Sequence, residues 1–252
     1  RLKAAGPIRW PGALVCVRRR AARVAGMPPA DEAKEEDARL WAAVEFRGAV
    51  DKCDVDKVQE MLDGGANPVY KMSDGAAWTV LMLAANSGSE PLVEKLSKGG
   101  RMPKVDDKDP HGLQAIMLAA LKGHVSIVSK LLDKSADLNA KNEDGETPLM
   151  MASAEGHTEV VRLLVQAGAD TNAKDKNDMS AILKAARWGR LDCLKELLPK
   201  VEENPRQLRH CLLFGKLYGH EAIVAEMTAV IQAKEAEAEA AAQDMDSPTG
   251  TR

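Results

Sequence analysis

The 252-residue chain is long enough for one or two domains, and with 45% hydrophobic and 29% charged residues it has an ordinary globular makeup. Aromatic residues reach only 3%, which disfavours all-β sandwiches and barrels and favours helices packed through Ala, Leu, Val and Met. The net charge of −3 argues against a whole-chain electrostatic grip on nucleic acid; the longest wholly apolar run, Ala115 to Leu121, falls far short of the roughly 20 residues that cross a bilayer.

In chain order, residues 1–26 hold seven cations (Arg1, Lys3, Arg9, Arg18, Arg19, Arg20, Arg23) and no acid, so the rest of the chain carries −10. This basic prefix reads as a translated leader or fragment artefact, an organelle transit peptide or a basic interaction arm. Residues 27–39 are acidic and proline-led and read as a flexible leader. Residues 40–231 form a repeat domain of five to six units. Its clearest evidence is that Gly123 to Lys141, GHVSIVSKLLDKSADLNAK, realigns with Gly156 to Lys174, GHTEVVRLLVQAGADTNAK, at a shift of 33 positions. The frame continues through Val58, Val93, Val128, Val161, Leu194 and Val224, with looser units at both ends that read as caps.

Each unit predicts two helices. Around Thr147 to Glu155, Thr147 is placed as N-cap, Pro148 at the first helical position and Gly156 at the stop. A second helix over Thr158 to Gln166 sets Val160, Val161, Leu164 and Val165 on one face, with Gly168 as a left-handed cap. Ser135 stands where Gly168 stands one unit later, a substitution that costs up to about 1 kcal/mol if the residue is left-handed. The glycine pairs Gly64–Gly65 and Gly99–Gly100 read as helix caps in the same frame. Residues 232–252 read as an Ala/Glu helical extension that gives way to a disordered tail from about Asp244.

The segment DGETPLMMASAEGHTEVVRLLVQAGADTNAK, residues 144–174, resembles the ankyrin-repeat family, a likeness that extends over about 40–230 and is strongest over 109–200. The resemblance implies an all-α solenoid of paired antiparallel helices with projecting β-turn or hairpin fingers. The sequence departs from the family where Met82, Met117, Met150 and Leu183 replace the histidine of the TPLH motif, which predicts no polar tie between units there. Unit two also carries two extra residues ahead of Trp78. Asn139 and Asn172 match a family asparagine that steadies the turn.

The resemblance further implies a protein-binding concave face. Its variable positions map to Trp78 with Asn86 and Ser87 in unit two, and to Pro110, His111, Leu113, Leu121 and Lys122 in unit three. Unit four contributes Glu143, Asp144, Glu146, Met151, Ala154 and Glu155; unit five contributes Lys176, Asn177, Met179, Lys184, Arg187 and Trp188. Arg187 and Trp188 belong to residue types enriched in interface hot spots.

Competing chemistry finds little support. His124, His157 and His220 share one repeat slot after a glycine, which is the mark of a structural residue. His210 and Cys211 are adjacent, but neighbouring helical side chains point about 100° apart and do not form a nucleophile pair. Neither GxxxxGK[ST] nor GxGxxG occurs, and Cys16, Cys53, Cys193 and Cys211 show no CxxC spacing. The expectation is therefore a non-enzymatic, monomeric adaptor with no catalytic, cofactor or metal residues, bound to another protein with a basic surface. The alternative is the regulatory portion of a larger enzyme or channel. A cytoplasmic or nuclear location fits, an organelle only if residues 1–26 are a transit peptide.

Overall fold

The computed structural model describes residues 48, 49, 52, 54–63, 78–98, 104–201 and 205–245. The basic prefix, the acidic leader, most of the first unit, the insertion ahead of Trp78, both glycine pairs and the tail beyond Met245 lie outside these residues.

Eleven helices are found among the described residues: α1 (Val55–Asp63), α2 (Val80–Ser87), α3 (Glu90–Lys98), α4 (Ala115–Lys122), α5 (Val125–Asp133), α6 (Pro148–Glu155), α7 (Thr158–Gln166), α8 (Ala181–Arg187), α9 (Leu191–Val201), α10 (Pro205–Tyr218) and α11 (Glu221–Met245). They stack as two layers. The inner layer runs α2, α4, α6, α8, α10 and the outer layer α1, α3, α5, α7, α9, each helix touching its neighbours in the row, and α11 packs against α10. None of the described residues forms a strand, so the architecture is the expected all-α solenoid with turns for fingers.

The inner helices are short and almost wholly apolar because they are covered on both sides. Ala115 to Ala120 are all buried in α4, and Pro148 to Ser153 in α6. Small side chains let these rows approach closely, which is why so few aromatics suffice. Each outer helix buries one stripe only: Ile127, Val128 and Leu131 in α5, then Val160, Val161 and Leu164 in α7.

The ends of the helices follow the sequence closely. The Thr147 side chain accepts from the Met150 N–H at 3.3 Å, with Pro148 in the first turn. Thr79 accepts from the Met82 N–H at 3.2 Å, and its own N–H donates to Met82 Sδ at 3.5 Å. Met82, Met117, Met150 and Leu183 are buried apolar fillers.

Ser135 has φ 62°, the left-handed conformation that Gly168 adopts at 91°. The cost expected of a serine there is therefore present. Gly123 is left-handed too, and a Cβ on it would come within 2.5 Å of the His157 ring. That close approach explains the repeated histidine. His157 Nε2 lies 3.0 Å from the Leu121 carbonyl, and His220 Nε2 lies 3.0 Å from the Arg187 carbonyl, so each ring ties its unit to the one before. In unit five Arg190 takes the slot and donates to the Ala154 carbonyl at 3.0 Å.

Candidate functional site

The fingers are tight turns built from one recipe. Each of Asp109, Asn142 and Asp175 donates its N–H across the turn, to Leu113, Glu146 and Met179 respectively, at 3.0–3.1 Å. A side-chain oxygen of the same residue accepts from the backbone inside the turn: Asp109 from His111 at 2.9 Å and Leu113 at 2.7 Å, Asp175 from Asn177 at 2.8 Å and Met179 at 2.9 Å. Successive fingers are joined by Glu143 N–H to the His111 carbonyl and Lys176 N–H to the Asp144 carbonyl, both 2.9 Å. Below them Asn139 Oδ1 accepts from Asp170 N–H at 2.9 Å, tying units three and four.

Between fingers and inner helices lies a groove of about 540 Å³. Its floor is Met151, Met179, Asp175 and the stem of Lys184; Leu113, Leu121 and Ala154 form half-buried sides, and His111, Asp144, Asn177, Glu155, Arg187 and Trp188 the exposed rim.

Sequence-predicted residues thus converge on one surface, though several sit differently than expected. Met151 and Met179 are 7% and 8% exposed, so they serve as floor more than as rim. Glu146, read as a free surface position, is ion-paired to Lys184, whose ammonium also reaches Asp175 Oδ2 at 2.9 Å. Trp78 is half-buried away from the groove, its indole N–H donating to Asp109 Oδ2 at 3.1 Å, where it braces a finger. Lys122, Glu143 and Lys176 are exposed but do not line the groove.

The Lys184 cluster is the main electrostatic feature of the floor. Burial pushes the Lys184 ammonium down, but its hydrogen bonds to Glu146 and Asp175 outweigh this and hold it above the ordinary lysine value of 10.5. Burial pushes the Asp175 carboxyl up, and the Lys184 bond with the Met179 and Asn177 N–H groups more than reverses it, to below 3.8.

At the far end, Trp188 is 58% exposed and does not pack into the core. The Arg187 guanidinium carbon lies 5.8 Å from its ring centre and 5.7 Å from that of Tyr218, an Arg held by two aromatic rings. Tyr218, itself 6.1 Å from the Phe214 ring, extends this wall onto the last unit. The sequence reading missed Tyr218, although counting back from Gly219 places it in the slot of Trp188.

Among the described residues, the carboxylates of Asp144 and Glu155 make no hydrogen bond or ion pair within the chain. Cys211 is buried, its thiol pushed up to about 12, and burial likewise raises Cys193, so neither thiol is set up as a nucleophile. No helix among the described residues is long and apolar enough to cross a membrane.

A helix pair, a capped turn and a repeat near 33 residues define a solenoid whose units cannot bury their faces alone. A family model described as ankyrin repeats (3 copies) matches residues 46–142 and again 135–207, and the chain belongs to the ankyrin-repeat family. Over 79 residues it is 38% identical to the 2-5A-dependent ribonuclease of Homo sapiens, covering 31% of this chain and 10% of that protein. Over 92 residues it is 40% identical to ankyrin repeat and SAM domain-containing protein 6 of Rattus norvegicus, covering 36% and 10%; the Mus musculus protein of that name matches to the same extent. The chain spans about a tenth of the length of the curated relatives it matches. Ankyrin repeats are in general protein-interaction modules, and the fold is typically non-catalytic.

Proposed function

We propose that the chain is a non-enzymatic adaptor whose concave groove holds a segment of another protein. Basic side chains of that segment sit against Asp144 and Glu155, and an apolar side chain lies over Met151 and Leu113 beside Trp188. The observation that supports this reading is the contrast within the groove: Lys184 is engaged with Glu146 and Asp175, while among the described residues the Asp144 and Glu155 carboxylates have no partner and Trp188, with Arg187 over its ring, is 58% exposed. Two open carboxylates beside the apolar Met151, Leu113 and Trp188 favour a cationic partner with an apolar anchor. A cytoplasmic or nuclear location suits such an adaptor.

Selection of a peptide-display library on the immobilised full chain tests the proposal. Recovered peptides are expected to pair Lys or Arg with an apolar anchor and to be displaced by Trp188→Ala or Asp144→Lys. Recovery of only acidic sequences contradicts the assignment. A second reading, the regulatory portion of a larger enzyme, is favoured by the match to a ribonuclease of which this chain covers 10%.

A further inference from the structure

Among the described residues, α10 leaves apolar surface at a position that is covered in the unit before it. Leu183 in α8 is 4% exposed, covered by α10. Aligning the left-handed Gly189 and Gly219 puts Leu213 of α10 in the same position, and Leu213 is 59% exposed; Leu217, one turn on, is 68% exposed. On the outer layer Arg162 bonds Glu196 of the following unit at 2.6 Å, and Lys195 bonds Glu226 at 3.2 Å. The residue of α11 in that ladder position is Ala225, which is exposed and uncharged. Terminal units of solenoids ordinarily turn a polar face outward.

The charges around this face are sorted by helix. The α10 sequence PRQLRHCLLFGKLY contains two arginines, a lysine, a histidine and no acid. The α11 sequence contains six acids and one lysine. Exposed Arg209 and Lys216 therefore flank the leucines on one side, and exposed Glu221, Glu235 and Glu237 lie along the other helix.

We propose that this end face joins two copies of the chain about a twofold axis that lays α10 of each copy along α11 of the other. A twofold interface must complement itself, and one basic helix beside one acidic helix around an apolar centre meets that requirement. The size sets the strength. Two helices some 20 Å long give a footprint of roughly 400 Å², below the roughly 800 Å² per partner of a standard interface, so the dimer is weak and reversible.

Sedimentation velocity on the full chain, over a micromolar concentration series, tests the proposal. A monomer–dimer equilibrium with a micromolar midpoint is expected. Leu213→Glu with Leu217→Glu is expected to weaken it at least tenfold while circular dichroism stays unchanged. Reversing α10 (Arg209→Glu, Lys216→Glu) or α11 (Glu221→Lys, Glu235→Lys) abolishes self-association in each variant, and mixing the two variants restores a heterodimer. A monomer at every concentration, the outcome expected from sequence, overturns the proposal, as does association that survives the leucine changes or a mixture that stays monomeric.

Discussion

The outer and inner layers of the solenoid handle charge in opposite ways. On the outer layer Lys130 pairs with Glu90 at 2.8 Å, Arg162 with Glu196 and Lys195 with Glu226, so these charges stitch unit to unit, while Glu159 holds Arg162 from within its own helix. On the concave side the floor charges, half-buried Lys184 and Glu146 with buried Asp175, are likewise matched. Among the described residues the rim carboxylates of Asp144 and Glu155 are not matched, and the Arg187 guanidinium lies against the Trp188 and Tyr218 rings. The difference separates scaffold from surface: a charge that closes on its neighbour unit holds the stack, and a charge left open is available to a partner.

The largest effect belongs to the shared core. Leu164 is fully buried in the most regular unit, and Leu164→Ala is expected to cost about 2–5 kcal/mol in urea unfolding; a value near zero would mean the helix register is wrong.

Next comes the groove floor, where Lys184→Met leaves Glu146 and Asp175 facing each other and is expected to cost about 3 kcal/mol. The pH dependence carries the same signature. Asp175 is lowered when folded, so its contribution is present above 3.8 and lost as pH falls below that value. Lys184 is raised, so its contribution is complete below 10.5 and lost as pH climbs past it. The Met variant should flatten both flanks of the stability profile.

Trp188→Ala is expected to leave the unfolding midpoint in place and weaken peptide binding by more than about 1 kcal/mol. A drop in helix content instead would assign Trp188 to the scaffold. Ser135→Gly relieves a left-handed serine and should raise stability by roughly 0.5–1 kcal/mol. Smallest is Arg162→Gln on the exposed outer ladder, where a double-mutant cycle with Glu196 is expected to show a weak, salt-sensitive coupling.

The legible part of this molecule is whatever the repeat period carries. Thr147, Pro148, Gly156 and Gly168 act where their chemistry requires, because caps and left-handed turns are decided within a few residues of chain. The repeated histidines read as structural for the same reason, since one slot recurring at fixed spacing must serve every unit. Pairings between units were harder to see. Lys184 and Glu146 are 38 positions apart, and each alone has the look of a surface residue. Trp78 bonds Asp109, 31 positions further along the chain, and neither residue type alone announces the pairing. Tyr218 was missed because the last spacing shrinks to 30, which hides its equivalence to Trp188.

The most direct test sets the two layers against each other in one assay. A display-selected basic peptide is titrated calorimetrically into the full chain, into Asp144→Asn with Glu155→Gln, and into Arg162→Gln with Glu196→Gln, with thermal unfolding measured alongside. The expected result is a loss of at least about tenfold in affinity, 1.4 kcal/mol, for the concave pair with unchanged melting, and a lowered melting temperature with unchanged affinity for the convex pair. Equal affinity across all three chains, or a concave pair that melts early, would contradict the division of charge between scaffold and binding face.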